Sequence, residues 1–153
     1  MRKAICVLAV GLALTLGSTA AVAVSVPSIE GRVSGIELCP QFICGAAVFA
    51  GGFQGQVGIN PHATGIIVAA FTHEDLPEPG EFSAITGGVW ELRTVARRFQ
   101  GIVLGGTLFN NGDNTFRVRA RLLLTSGGGG IVTFDGFLNH NTLIPTFGGT
   151  LGQ

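Results

Sequence analysis

His73-Glu74-Asp75, followed at short range by Glu78 and Glu81, is the densest grouping of side chains able to move a proton or hold a cation. An imidazole and adjacent carboxylates at the start of a loop offer oxygen ligands of the kind a hard cation such as calcium prefers. A zinc site needs more nitrogen or sulfur donors. His62 and His140 are far off in sequence, and no spacing brings them to His73. The plainer account of His73, Glu74 and Asp75 is a solvated acidic loop.

Cys39 and Cys44 lie in CPQFIC. Catalytic cysteine pairs usually enclose two residues and sit at a helix N-terminus, whereas this pair encloses four and no helix is expected there. A structural disulfide with Phe42 at the tip of its loop is the expectation. So small a ring restricts the unfolded chain little, which places its contribution towards the low side of ~2–4 kcal/mol.

Arg117, Arg119 and Arg121 alternate along one stretch and therefore share a face if it is a strand. Guanidinium forks suit carboxylates and phosphates, so the row is a candidate anion site. Salt bridging to Asp135 and Glu91 accounts for it as well. NNGDN at 110–114 lacks the spacing of a calcium loop and has hairpin-turn chemistry. SGGGG at 126–130 is followed by a strand-like run rather than the helix a phosphate loop requires. No G-x-S-x-G or H-E-x-x-H pattern occurs, so no catalytic residue is assigned.

The elements that must carry these residues are strands. Residues 86–141 alternate in hydrophobicity and turn at NNGDN and SGGGG, giving four consecutive antiparallel strands. Setting Phe109 opposite Thr115 pairs Leu108 with Phe116, Leu104 with Ala120 and Ile102 with Leu122. Setting Thr125 opposite Ile131 pairs Leu122 with Phe134 and Arg121 with Asp135. An Ala-Arg-Arg turn pairs Leu92 with Ile102 and Trp90 with Leu104. The expected core wall is Trp90, Leu92, Leu104, Phe116, Leu122, Phe134 and Leu138. The outer face then holds Glu91, Arg93, Gly101, Val103, Gly105 and the arginine row.

Upstream, residues 30–38 read as a first strand, and 45–50 with 53–59 as a hairpin around Gly51-Gly52. Asn60-Pro61-His62 is turn chemistry. Residues 64–72 (TGIIVAAFT) suit a strand buried on both faces, and two prolines keep HEDLPEPG out of any ladder. Residues 142–151 form a last strand interrupted by Pro145, which suggests an edge or a bulge. No amphipathic helix is evident.

Arg2 and Lys3, the apolar run from residue 4 to 16 and Ala21-Val22-Ala23 have the order of a secretory signal peptide. Cleavage after Ala23 leaves a single domain, residues 24–153, in the periplasm or outside the cell, with no membrane span. Without Arg2 and Lys3, the nine acidic residues outnumber the remaining basic ones by two. That balance gives no support to nucleic-acid binding. Twenty-five glycines, many inside strand-like runs, suit a strongly coiled or closed sheet.

GGVWELRT, then F-x-G-x-V-x-GGTL-x-NNGD-x-T-F and VTF-x-G, spanning residues 87–140, resemble small exported bacterial all-β proteins of uncharacterised function. At the level of fold, the long hairpins and glycine-rich strands are similar to dirigent and allene-oxide-cyclase barrels. No ligand residue of those barrels has a match here. The expectation is an antiparallel meander of about eight strands closed into a barrel, with a two-sheet sandwich as the alternative. The expected role is non-enzymatic binding or surface interaction with a protein or small molecule, without a cofactor or metal. A barrel enzyme or carrier of a small apolar ligand, with polar groups at one mouth, is the alternative.

Overall fold

A computed structural model describes residues 27–153. The proposed signal segment lies outside them, as do its cleavage and the domain boundary at residue 24. Eight strands follow in order: β1 (Ile29–Cys39), β2 (Ala47–Val57), β3 (Asn60–His73), β4 (Phe82–Thr94), β5 (Arg98–Asn110), β6 (Thr115–Ser126), β7 (Ile131–Asn139) and β8 (Thr146–Gly152). Each pairs antiparallel with the next, and β1 pairs with β8, closing the barrel. The closed meander, not the sandwich, is the architecture.

Alternation drives the closure. Ile29, Val33, Phe53, Phe99, Leu92, Leu108, Val118 and Val132 point inward and are buried, together with Trp90 and Phe116. Phe49 stacks on Phe71 with centroids 4.9 Å apart and meets Phe147 edge-on. The arginines of β6 point outward. Apolar-in alternation is the reverse of the lipid-facing pattern of transmembrane barrels, and no described helix is long and apolar enough to cross a membrane.

The register differs from expectation in ways the turns explain. Phe109 pairs with Arg117 and Leu123 with Ile131, each two residues from the expected partner. A two-residue slip preserves facing, so Phe116, Leu122 and Leu138 are still core and Phe134 packs against it. The first turn centres on Asp113 because its carboxylate accepts hydrogen bonds from the Thr115 amide and hydroxyl. In the second, Gly127 and Gly130 take positive φ.

Between β4 and β5 the slip is odd. The Thr94 amide donates to the Arg97 carbonyl, and the Thr94 hydroxyl accepts from the Arg97 amide. This tight turn sets Leu92 opposite Phe99 and Trp90 opposite Gly101. Val103 is consequently buried, while Ile102 and Leu104 stand 41% and 44% exposed, so Leu104 leaves the expected core wall and Val103 and Gly101 leave the outer face. A bulge at Leu104, with Gly105 at φ 140°, turns Gly106 and Leu108 back inward.

Three further expectations are corrected. Gly51-Gly52 is no hairpin turn: β2 runs straight through and pairs those residues with Gly35 and Ser34. Gly35 is glycine because a Cβ there would meet the Ala50 carbonyl and crowd the Phe147 ring. β3 is buried on one face only, with Ile66 and Val68 exposed, because a single barrel has one core. Pro145 precedes β8 instead of interrupting it, and its carbonyl accepts from the Glu37 amide. The Cys39–Cys44 disulfide forms, Cα atoms 6.1 Å apart, around a single helical turn, α1 (Gln41–Cys44), that the sequence did not announce.

Candidate functional site at the barrel mouth

The three longest connections, 40–46 carrying the disulfide, 74–81 and 140–145, gather at one end of the barrel beside the turn at 111–114. The opposite end has only the short turns at 58–59, 95–97 and 127–130. The longer loops are tied to one another. Gln41 donates to the His73 carbonyl at 2.9 Å and accepts from the His73 amide at 2.8 Å, pinning the disulfide loop to the end of β3. The Asn110 side chain donates to the Pro77 carbonyl, and the Asn141 side chain to the Asp113 carbonyl.

These loops surround a cavity of about 780 Å³. Its apolar wall includes Ala47, Phe71, Leu108, Phe116 and Leu138, and its polar lining includes Glu37, His73, Glu74, Asp75 and His140. Phe71 and Leu138 also border an apolar void of about 50 Å³ in the barrel centre, on the core side of the mouth. Phe42 and Leu143 project at the rim, both strongly exposed.

His73, Glu74 and Asp75 lie at the mouth and line this cavity. The His73 ring nitrogen Nδ1 contacts the Glu74 carbonyl. No three His, Cys, Asp or Glu side chains among the described residues converge as metal ligands.

Glu37 and His140 were missed. Glu37 is on the inward parity of β1, and its side chain is 5% exposed. Its Oε2 lies 3.1 Å from His140 Nε2. The distance suits an ion pair, although no aligned hydrogen bond joins the two atoms. The His140 ring leans on Phe116 with centroids 5.3 Å apart, and its amide donates to the Asn114 carbonyl. A readable signal existed. Glu37 continues the inward series of Ile29 and Val33, and His140 continues that of Leu138, so each is a polar residue at a core position.

The arginine row is divided. Arg119 donates to Asp135 at 2.9 Å and Arg117 reaches it at 3.5 Å, whereas Arg121 faces Gly105 and Thr133. Asp135 is held below the ordinary carboxylate range: burial acts to raise it, and the bonds from Arg119 and Arg117 prevail. Glu91 engages Arg98, Arg93 and Gln100, not this row. Those bonds, Arg98 foremost, bring its pKa to about 2. Both networks lie on the outer wall, and none of their residues lines the mouth cavity.

Fold and site together define an eight-stranded meander barrel with one looped, partly anionic mouth. No family model, curated protein or solved structure matches this chain.

Proposed function

We propose that this is an exported, non-enzymatic binding protein whose barrel mouth takes a small molecule with an apolar body. The mouth cavity carries the reading: at about 780 Å³ it falls within the range of small-molecule sites, which are largely apolar with few oriented polar groups. Phe71, Leu108, Phe116 and Leu138 give the cavity an apolar wall against which such a body can lie. The residue 1–23 segment and the Cys39–Cys44 disulfide support an oxidising, exported setting. The test uses 1-aminoanthracene, a neutral amphipathic fluorophore, with amide shifts recorded alongside emission. Saturable emission with shifts centred on Ala47, Phe71, Leu108 and Leu138 supports the reading. Shifts confined to the outer wall, or none, refute it.

A second reading, surface interaction, is favoured by the outer wall. Ala70, Val89, Ile102, Leu123 and Ile131 are successive cross-strand partners and form one apolar row over five strands. Exposed apolar rows are covered in many protein interfaces, here by a second copy of the chain. Light scattering over a concentration series checks it. A mass that doubles, and returns to the monomer value in Ile102→Asp, supports this reading; a monomer throughout rejects it.

A further inference from the structure

The net charge conceals its distribution. Of the nine acidic residues, six belong to the mouth end: Glu37, Glu74, Asp75, Glu78, Glu81 and Asp113. The opposite end is built from the turns at 58–59, 95–97 and 127–130, and none of them contains an acidic residue. Glu30 and Arg32, both on the outer face of β1 near that end, offset each other. Arg93 and Arg98 are direct cross-strand partners there, an arrangement that like charges make unfavourable. Glu91 bonds both. Arg97, exposed in the turn beside them, pairs with no carboxylate among the described residues. Three guanidinium groups against one carboxylate leave the turn end with an excess of positive charge.

Apolar side chains project from the same turns. Ile59 and Val95 are fully exposed, at positions where tight turns ordinarily carry Gly, Pro, Asn, Asp or Ser. Ile59, Thr94, Ala96 and Arg97 line one shared hollow of about 340 Å³, so the two turns are neighbours. Ile66, exposed on β3, stands opposite Arg93 and continues the apolar area up the wall. Pro27 packs beside Gly58 and Gly128, so the chain carrying the apolar run of residues 4–16 joins the barrel at this end. A soluble anion would engage the arginines and leave Ile59 and Val95 in water. An apolar protein face would cover those two and leave the arginines without counter-charge. A bilayer of anionic phospholipid meets both demands, with phosphates outside and hydrocarbon beneath.

We propose that the turn end docks on an anionic phospholipid membrane, with Ile59 and Val95 entering the headgroup layer and Arg93, Arg97 and Arg98 meeting its phosphates. The mouth then faces away from the membrane, so the inference stands independently of what the mouth binds. The exported protein is titrated with vesicles of phosphatidylcholine alone and of phosphatidylcholine mixed with phosphatidylglycerol, and binding is read by co-sedimentation. The anionic vesicles should bind at least tenfold more tightly, and added salt should weaken them. Arg97→Gln should lose about fivefold, the worth of one charge close to such a surface. Ile59→Ser should lose about tenfold, from methylene groups no longer buried at the acyl boundary. Two tryptophan probes locate the contact: Val95→Trp at the turn end and Leu143→Trp at the mouth. With anionic vesicles the emission of the first should move to shorter wavelength and that of the second should stay. If a variant does not fold, the preference between the two vesicle types in the unaltered protein still decides. Equal binding to both vesicles, no binding, or a shift at Leu143→Trp in place of Val95→Trp overturns the proposal. Release of the protein by soluble glycerol phosphate, at the concentration of the phosphatidylglycerol, also overturns it, because the arginines would then hold a lone anion and not a membrane.

Discussion

Gly101 stands directly opposite Trp90, and a Cβ on it would run into the indole Nε1 and the Leu123 carbonyl. The indole fills the room that the missing side chain leaves. Gly101→Ala should therefore destabilise the barrel by about 1–3 kcal/mol, the usual range for overpacking. Gly52, also within a strand but with nothing near the corresponding position, is the control. Gly52→Ala should stay within about 0.5 kcal/mol. Urea unfolding of the two variants checks the contrast, and equal losses would contradict the packing at Trp90.

The bulge at Leu104 is tested by the side chains around it. Val103 is buried and Leu104 faces solvent. Val103→Ala is expected to cost about 1.5–3 kcal/mol, from lost burial and the cavity left behind. Leu104→Ser should change stability by no more than about 0.5 kcal/mol. The reverse order in denaturation midpoints would restore the regular, bulge-free register.

Acid should act on the outer wall through Glu91. Its folded pKa is depressed from 4.5 to about 2 by Arg98, Arg93 and Gln100. A depressed carboxylate stabilises the fold fully above its unfolded value and loses that contribution as pH falls through the folded one. The stability of the unaltered protein should thus decline between about pH 5 and pH 2 more steeply than that of Glu91→Gln, the two differing least near pH 2. Parallel profiles would mean that the Arg98 bond does not persist in solution.

Gln41 joins the disulfide loop to β3 through both ends of its amide. Gln41→Ala should cost about 0.5–1.5 kcal/mol and, more tellingly, accelerate hydrogen exchange at the His73 amide. Reduction of Cys39–Cys44 should speed exchange at the same amide while the amides of Leu92 and Val118 keep their protection. Loss of protection throughout the barrel would make the disulfide a support of the whole fold, not of the mouth.

What was legible in the sequence followed from parity. The alternation of β6 and β7 assigns Phe116, Leu122 and Leu138 to the core whatever the register, because two-residue slips do not change facing. Where parity itself changes, reading fails. Nothing local in Gly-Gly-Thr-Leu distinguishes a bulge from a regular pair, so Val103 and Leu104 were interchanged. Gly51-Gly52 resembled a turn because the demand for glycine there comes from a neighbouring strand, which a one-dimensional pattern does not contain. His73, Glu74 and Asp75 were visible as a cluster of like chemistry. Glu37 and His140 were not, since more than a hundred positions separate them and only barrel closure makes them neighbours.

That closure has a consequence for how the protein is made. Seven of the eight ladders join strands adjacent in the chain, and only the β1–β8 seam joins its two ends, Gly31 meeting Leu151. Pairings between near neighbours can assemble as the polypeptide grows, but the seam must wait for the last strand to be synthesised. Contacts of such long sequence separation slow folding. Until then β1 and the newest strand each present bare amides and carbonyls, the kind of edge on which chains aggregate. Once β8 docks, no rim of the sheet is left to recruit another. A sheet still lacking β8 is therefore a sticky ribbon, and one that has docked it a closed cylinder.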